Sequence, residues 1–430
     1  MRASPLRLPA VLVLLGVTLG GVLAGCGKGS STTSSTSRSA SSGFGAAPQA
    51  RGVLGIATKN TTRLGGADAA SDAAAVAEAV YPGFTPATRP QAVVLVNERD
   101  FSAALVASAL ASAPLGAPLL YADGNSLPEV TEQALRAMRP VGASALGGAQ
   151  VIRVDTDAAL PDGLRARDVT ATETSAAAGA SGEAEPAALA AAVAQLAATV
   201  GGKPAHDVLI VASDAPRALQ MPAAGLSAES RAPILLVTSS SVPPATSAAL
   251  RALHHPTIYV VAPTTLHASA YAALKRLGDV VHVSGSAGAG ESSSGGASSN
   301  AVENAISVSR FAHGAFGWGV HEAGHGLVFA NAARPLDAPA AAPLSAHGDY
   351  APLLLLEGAS AVPAPLTHYL SDIEPGYTEA VPPVREVYNH GWLIGDERAI
   401  SARAQAELDT VLEIAPRQPS EAEQSVSEAE

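Results

Sequence analysis

The most recognisable catalytic spacing in the chain is His321-Glu322-x-x-His325. On a helix, two histidines four residues apart share one face and can bind Zn²⁺, while the glutamate between them acts as a general base. Three later residues could complete such a site as the third ligand: His347, Asp349 or Glu357. The spacing alone therefore allows a zinc metallopeptidase.

The residues around this motif argue against a helix. Glycine stands at 314, 317, 319, 324 and 326, and each glycine inside a helix costs about 1 kcal/mol relative to alanine. His325 also directly precedes the aliphatic run Leu327–Ala330, which is typical of a strand. We therefore predict a loop at 321–325, with no metal, no cofactor and no catalytic residues. The zinc site stays the alternative.

A second set of polar residues follows three aliphatic runs, which are residues 92–97, 207–213 and 326–331. The candidate residues lie at or just after the ends of these runs: Asn97, Arg99, Ser213, Arg217, Asn331 and Arg334. Ligands of open α/β sheets bind beyond the carboxyl ends of strands, and arginine can hold a phosphate or carboxylate with two hydrogen bonds. We predict that these loops bind an anionic polymer. The alternative is pairing with nearby acids, as Arg99 could pair with Glu98 or Asp100.

Three similar stretches of chain carry these loops. Each aliphatic run is followed by an alanine-rich segment and then by a second aliphatic run that opens with Ala-Pro, at 117, 232 and 351. Strands that alternate with helical segments of about ten residues indicate βαβ units and a parallel sheet. The predicted fold class is therefore α/β, with three tandem βα-repeat subdomains and mostly parallel sheets.

Within the first repeat, the pattern predicts alternating elements. The predicted helices are 69–81, 102–112 and 129–138, and the predicted strands are 53–57, 92–96, 118–121 and 142–146. Residues 62–68 are predicted to form a turn between the first strand and the first helix.

The composition limits the classes of partner and the kind of hydrophobic core that are expected. Of 430 residues, 26 are Lys or Arg and 38 are Asp or Glu, giving a formal net charge of −12. An acidic surface does not favour nucleic acid as a partner. Aromatic residues make up 4%, and the single cysteine excludes an internal disulfide. The core is therefore expected to be built from Ala, Val and Leu.

The N-terminal segment has the pattern of a secretion signal. Arg2 and Arg7 precede an apolar run that ends in Leu23-Ala24-Gly25-Cys26, which resembles a bacterial lipobox. The resemblance implies that Cys26 is lipidated and anchors the protein to the membrane. Residues 26–50 are rich in Ser, Thr and Gly and are predicted to be a disordered tether.

The predicted domains follow from these observations in chain order. They are the lipoprotein signal peptide 1–25, the tether 26–50, the repeats 51–160 and 161–284, a Gly/Ser linker 285–300, the third repeat 301–415 and a disordered acidic tail 416–430.

Several motifs resemble the cell wall binding repeat 2 family. The motifs are Thr62-Arg-Leu-Gly-Gly-Ala-Asp68, Asn97-Glu-Arg-Asp-Phe-Ser-Ala-Ala-Leu105, Arg139-Pro-Val-Gly-Ala-Ser-Ala-Leu-Gly-Gly148 and Trp392-Leu-Ile-Gly-Asp-Glu-Arg-Ala-Ile-Ser401. The family aspartate of the loop is present as Asp337 in the third repeat, but Ala103 replaces it in the first. The resemblance implies three α/β subdomains around a pseudo-threefold axis and non-covalent binding of an anionic cell-wall glycopolymer or peptidoglycan.

The sequence thus predicts an extracytoplasmic, lipid-anchored protein that binds the cell wall and is not an enzyme. Its partners would be the wall polymer, the membrane through the N-terminal lipid, and other envelope proteins. Two alternatives remain open. One is a zinc metallopeptidase that uses His321, Glu322 and His325, and the other is an envelope scaffold whose degenerate repeats bind a protein.

Overall fold

The computed structural model describes residues 56–171, 184–284, 298–346, 351–377 and 388–416, all of which belong to one compact unit. The predictions for the signal peptide, Cys26 and the tether, for most of the linker and for most of the tail lie outside these residues. Among the described helices, none is long and apolar enough to span a membrane.

Short strands alternate with helices along the chain. The strands are β1 (Ile56–Ala57), β2 (Thr61–Leu64), β3 (Val93–Asn97), β4 (Leu119–Ala122), β5 (Val151–Val154), β6 (Ala166–Val169), β7 (Asp207–Ala212), β8 (Ile234–Val237), β9 (Thr257–Val260), β10 (Asp279–His282), β11 (Gly326–Asn331), β12 (Leu353–Leu356), β13 (Gly376–Tyr377), β14 (His390–Ile394) and β15 (Ala415–Pro416). The helices are α1 (Ala69–Val80), α2 (Phe101–Ala107), α3 (Glu129–Met138), α4 (Ala184–Gly201), α5 (Arg217–Gln220), α6 (Pro222–Ser230), α7 (Pro244–Ala252), α8 (Ala268–Leu274), α9 (Ala301–Arg310), α10 (Asp337–Ala346), α11 (Ala364–Asp372) and α12 (Ala402–Val411).

Each of the three repeats, called a unit below, carries one parallel sheet, and the three sheets share one strand order. The first is β4-β3-β5-β6, the second β8-β7-β9-β10, and the third β12-β11-β14-β2, to which β1 adds an antiparallel edge. All pairs within the four-strand sets are parallel. The α/β fold with repeated units predicted from the sequence is therefore confirmed.

The buried strands are aliphatic on both faces because helices cover both sides of each sheet. Val93–Val96 and Leu353–Leu356 are fully or almost fully buried, as such runs predict. The segments that follow β3, β7 and β11 meet in one buried cluster of Ala111, Ala228 and Ala342. Ala111 lies in the 3₁₀ turn after α2, Ala228 on α6 and Ala342 on α10. These three residues occupy corresponding places in the three units, and their small side chains let the three segments approach closely.

The N-terminal strand closes the third sheet. Strand β2 pairs in parallel with β14, more than three hundred residues later in the chain. At its end, Gly65 has a φ of +126°, and a Cβ there would clash with the backbone of Gly395. Glycine is therefore required where the two ends of the folded chain pass one another. A strand from the N-terminal side of the first unit is therefore part of the sheet of the third unit.

Arg63 fixes this closure. Its side chain is 5% exposed and donates to the carbonyl oxygens of Gly395 at 3.0 Å, Asp396 at 2.8 Å and Ile400 at 2.7 Å. It also donates twice to Gln405 Oε1, at 2.8 and 3.2 Å. A single buried guanidinium thus satisfies three carbonyls of the loop after β14.

Some predicted elements were wrong. The predicted strand 142–146 contains a 3₁₀ turn at Ser144–Leu146, and the strand of this unit is Val151–Val154. The predicted turn 62–68 begins as strand β2, because Thr61–Leu64 finds a sheet edge in a distant part of the chain. Pro416, assigned to the disordered tail, pairs with Tyr377 in a short two-stranded sheet.

Candidate functional site

The first predicted loop lies at the carboxyl end of β3. The Asn97 side chain accepts a hydrogen bond from the Arg99 backbone N–H at 3.1 Å, which tightens the turn. The Arg99 guanidinium is 75% exposed and pairs with Asp123 at 2.7 Å, and not with Glu98 or Asp100, the acids considered from the sequence. Asp100 instead caps helix α2 by accepting from the Ala103 N–H. An exposed pair of this kind contributes about 0–1 kcal/mol, so Arg99 can exchange its partner for a ligand.

The second loop follows β7 and leads into α5. The Ser213 hydroxyl donates to the Val237 carbonyl at 3.0 Å, which ties the loop to the neighbouring strand. Arg217 is exposed, and its guanidinium carbon lies 5.6 Å from the centre of the Phe101 ring. Because Phe101 belongs to the first unit, Arg217 bridges two units at the carboxyl edges of their sheets.

The third loop, after β11, is occupied by internal contacts. Asn331 is 5% exposed; it donates to the Ala399 carbonyl at 2.8 Å and accepts from the Ala333 N–H at 2.9 Å. Arg334 donates to Asp337 at 2.8 Å and also contacts the carboxylate of Asp72. Asp72 lies on α1, so this arginine joins the third unit to the first.

The acid pair beside Arg334 shares a buried environment. Burial and the neighbouring Asp337 carboxylate raise the pKa of Asp72 from 3.8 to about 8. Burial also raises the pKa of Asp337 to about 6, against the lowering effect of Arg334. Two carboxyls this close cannot both ionise easily, so one of them keeps a proton near neutral pH. Arg334 then balances the single remaining charge.

The structure therefore separates the predicted residues into two kinds. Arg99 and Arg217 present their charge to solvent, whereas Arg334 neutralises a buried acid pair and Asn331 supports the loop. A hydrogen bond also links the first unit to the segment after the third loop, since the Tyr121 hydroxyl donates to the Leu336 carbonyl at 2.7 Å. Within the described residues, no direct contact joins the three arginines to one another.

The residues of the zinc motif lie in an irregular connection between α9 and β11. His321 and Glu322 are exposed, and no helix includes them. The backbone N–H groups of Gly324 and His325 donate to the buried Asn389 side chain, at 2.9 and 3.1 Å. A helical face carrying both histidines is therefore not formed. In the part of the chain that the structure describes, no group of three or more metal-ligating side chains is found.

Sequence reasoning missed Asp72 and Arg63. Asp72 looks like an ordinary acid in the first turn of an alanine-rich helix, and only the packing of α1 against α10 buries it. Arg63 was included in the family motif, but its role in holding the loop after β14 depends on a contact between distant residues.

Taken together, the repeated strand order and the helices packed at the centre define a repeat α/β protein with candidate binding loops at its strand ends. Residues 63–157 match the model of the family Cell wall binding domain 2 (CWB2). The match confirms, for this part of the chain, the family resemblance that the sequence motifs indicate.

The fold is also similar to a solved structure. Cwp6 from Clostridium difficile aligns with a TM-score of 0.57 at 17% sequence identity, over 85% of this chain. The chain spans 50% of the length of that protein. At this identity the likeness concerns the fold. A search of curated proteins found no match.

Proposed function

We propose that this protein binds the cell wall and does so without catalysing a reaction. The observation that carries the proposal is the match of residues 63–157 to the cell wall binding domain 2 family. The fold similarity to Cwp6 extends over 85% of the chain, and we extend the proposed role to all three units because they share one strand order. Three tandem, degenerate copies agree with the common strand order of the sheets.

The ligand we propose is an anionic wall glycopolymer held by hydrogen bonds and charge. Arg99 and Arg217 are the exposed guanidiniums at the strand ends, and such groups can hold phosphate or carboxylate with two hydrogen bonds. Asn97 and Ser213 shape the two loops. In the third loop, Arg334 and Asn331 would support the site through the acid pair and the loop backbone.

A second attachment would come from the N-terminus. We propose that Cys26 carries a lipid and that residues 26–50 form a tether, as the lipobox-like sequence indicates. A protein held at the membrane meets the wall polymer at a high effective concentration, so two weak attachments reinforce each other. The resulting location would be outside the cytoplasm, between membrane and wall.

The test is sedimentation of the purified protein with isolated cell walls. Replacing both Arg99 and Arg217 with Gln is expected to reduce the sedimented fraction by about tenfold, since each loses a charge-assisted contact. Arg334 is left intact because its removal would leave the buried carboxyls of Asp72 and Asp337 without their positive partner. The control replaces Arg251 and Arg276 with Gln, which removes the same charge from exposed sites in the second unit.

Retained sedimentation of the Arg99/Arg217 variant, or an equal loss in the control, would refute the strand-end site. Walls stripped of anionic polymers provide the second comparison. Undiminished sedimentation with stripped walls would refute a glycopolymer ligand and favour the envelope scaffold that binds a protein.

A further inference from the structure

A separate cleft lies at the opposite edge of the first sheet. It has a volume of about 510 Å³ and is lined by residues that precede β3, β5 and β6 or end α3, including Arg89, Arg136, Arg139, Val141, Gln150 and Leu164. The amino ends of parallel strands meet at this edge, whereas the strand-end loops occupy the carboxyl edge. The cleft therefore lies apart from Arg99 and Arg217.

Two arginines converge in this cleft without a carboxylate partner. The side chains of Arg89 and Arg139 both donate to the carbonyl oxygen of Gly83. Neither makes an ion pair with any described acid. Two like charges held at one carbonyl leave most of their N–H donors free, and a bound anion would satisfy those donors.

The backbone holds this arrangement in place. Gly83 has a φ of +68°, and a Cβ at this position would clash with the carbonyls of Ala137 and Met138. Arg139 itself takes the left-handed conformation at the end of α3, with a φ of 49°. Non-glycine residues rarely adopt that conformation. The backbone position from which the Arg139 side chain extends is therefore set by the end of α3.

The remaining charges around the cleft are few. Arg136 pairs with Glu132 one turn earlier on α3, and Asp162 is the acidic residue that lines the cleft. The cleft therefore carries three arginines in a chain that has twelve more negative than positive charges. Such a local excess concentrates anions in spite of the acidic whole.

Two exposed apolar side chains belong to the segments that form this arrangement. Phe84, which directly follows Gly83, is 81% exposed, and Val141 in the cleft wall is 48% exposed. They are two of the three large hydrophobic side chains that stand exposed among the described residues. An exposed aromatic ring beside unpaired guanidiniums suits a ligand that has both a ring face and a negative charge.

We propose, resting on the wall-binding function proposed above, that this cleft is a second binding site, which takes one segment of an anionic glycopolymer. The negative group lies between Arg89 and Arg139, and a sugar ring packs on Phe84. The two ends of the first sheet then hold separate segments of polymer. This site does not depend on the strand-end loops, because no residue is shared between them.

Calorimetric titration of the full chain tests the proposal with defined probes. Glycerol-phosphate oligomers supply phosphate, oligogalacturonate supplies carboxylate on sugar rings, and neutral dextran oligomers serve as the blank. Replacing Arg89 and Arg139 with Gln is expected to weaken binding of the better anionic probe at least tenfold. The control variant with Gln at Arg251 and Arg276 should stay within twofold of the wild type.

Two single substitutions separate binding from folding. Phe84→Ala should weaken oligogalacturonate several-fold but leave inorganic polyphosphate unchanged, because only the sugar rings pack on the aromatic side chain. Asp162→Asn should strengthen both anionic probes about two- to threefold by removing the opposing charge. A gain in affinity cannot come from unfolding, so this variant tests the site even if the double variant is unstable.

Several results would overturn the proposal. Unchanged affinity in the Arg89/Arg139 variant would mean that these arginines only hold the loop at Gly83. An equal loss in the control, or no effect of Asp162→Asn, would point to non-specific charge. Titration of the Arg99/Arg217 variant should still show the cleft affinity for the anionic probes, so failure of the strand-end site and failure of the cleft give different results.

Discussion

Removal of the Arg63 guanidinium is expected to open the closure between the N-terminal strand and the third unit. Arg63→Met keeps most of the side-chain length but deletes all five hydrogen bonds to Gly395, Asp396, Ile400 and Gln405. The acceptors then stay buried without their donor.

The size of the effect follows from these contacts. A buried polar group that loses its partner costs about 1–3 kcal/mol, but neighbouring losses are not additive because the loop can relax. The substitution leaves four acceptors without their donor, and with partial relaxation we expect the free energy of unfolding to fall by about 3–5 kcal/mol. That is a large part of the roughly 5–15 kcal/mol that stabilises a typical domain.

The measurement is urea denaturation combined with native-state hydrogen exchange. The exchange of amides in β2 and in residues 395–400 should accelerate together, while β7 and β8 of the second unit stay protected. Arg99→Met serves as the control, because its exposed ion pair contributes about 0–1 kcal/mol. A loss below about 1 kcal/mol for Arg63→Met, or a loss equal to that of the control, would refute the reasoning.

Three further predictions follow from the structure. Asp72 keeps its proton up to a pKa of about 8 when folded but ionises near 3.8 when unfolded, so the free energy of unfolding should fall as pH rises between these values. Asp72→Asn should remove most of that slope in urea titrations at pH 5, 6 and 7; an identical slope in the variant would contradict the buried acid pair. Gly225→Val should lower the midpoint of thermal unfolding, because a Cβ at 225 would lie 2.8 Å from Ser345 Oγ. Overpacking of this kind costs about 1–3 kcal/mol. An unchanged midpoint would show that α6 and α10 can move apart. Elemental analysis of the purified protein and of His321→Ala should give the same zinc content, since His321 lies in an irregular loop; one zinc lost on substitution would restore the metallopeptidase alternative.

Elements that are set by residues close together in the sequence were predicted correctly. Uninterrupted runs such as 92–96 and 353–356 became buried strands because aliphatic residues without polar neighbours fit the interior of a covered parallel sheet. The helix predicted at 129–138 has the same bounds in the structure, since its amphipathic pattern and the following proline are local signals.

Elements whose partners lie far away were predicted poorly. Residues 61–64 carry too short a pattern to indicate a strand, and only the edge of β14 makes them one. The strand Val151–Val154 was missed because the Gly-Gly turn before it suggested an earlier strand at 142–146. In both cases a hydrogen-bonding partner in another part of the chain decided the conformation.

The candidate site divides in the same way. The sequence by itself determined the α/β repeat architecture, the polar loops at the strand ends and the loop character of the His321 segment, because periodicity and glycine content are properties of short stretches. Only the tertiary structure decided which arginines are available. Arg99 and Arg217 face solvent, whereas Arg334 lies between two buried carboxyls from different units. Arg89 and Arg139, fifty residues apart, meet at one carbonyl. Burial and charge pairing are set by the packing of distant segments, and a linear sequence does not display that packing.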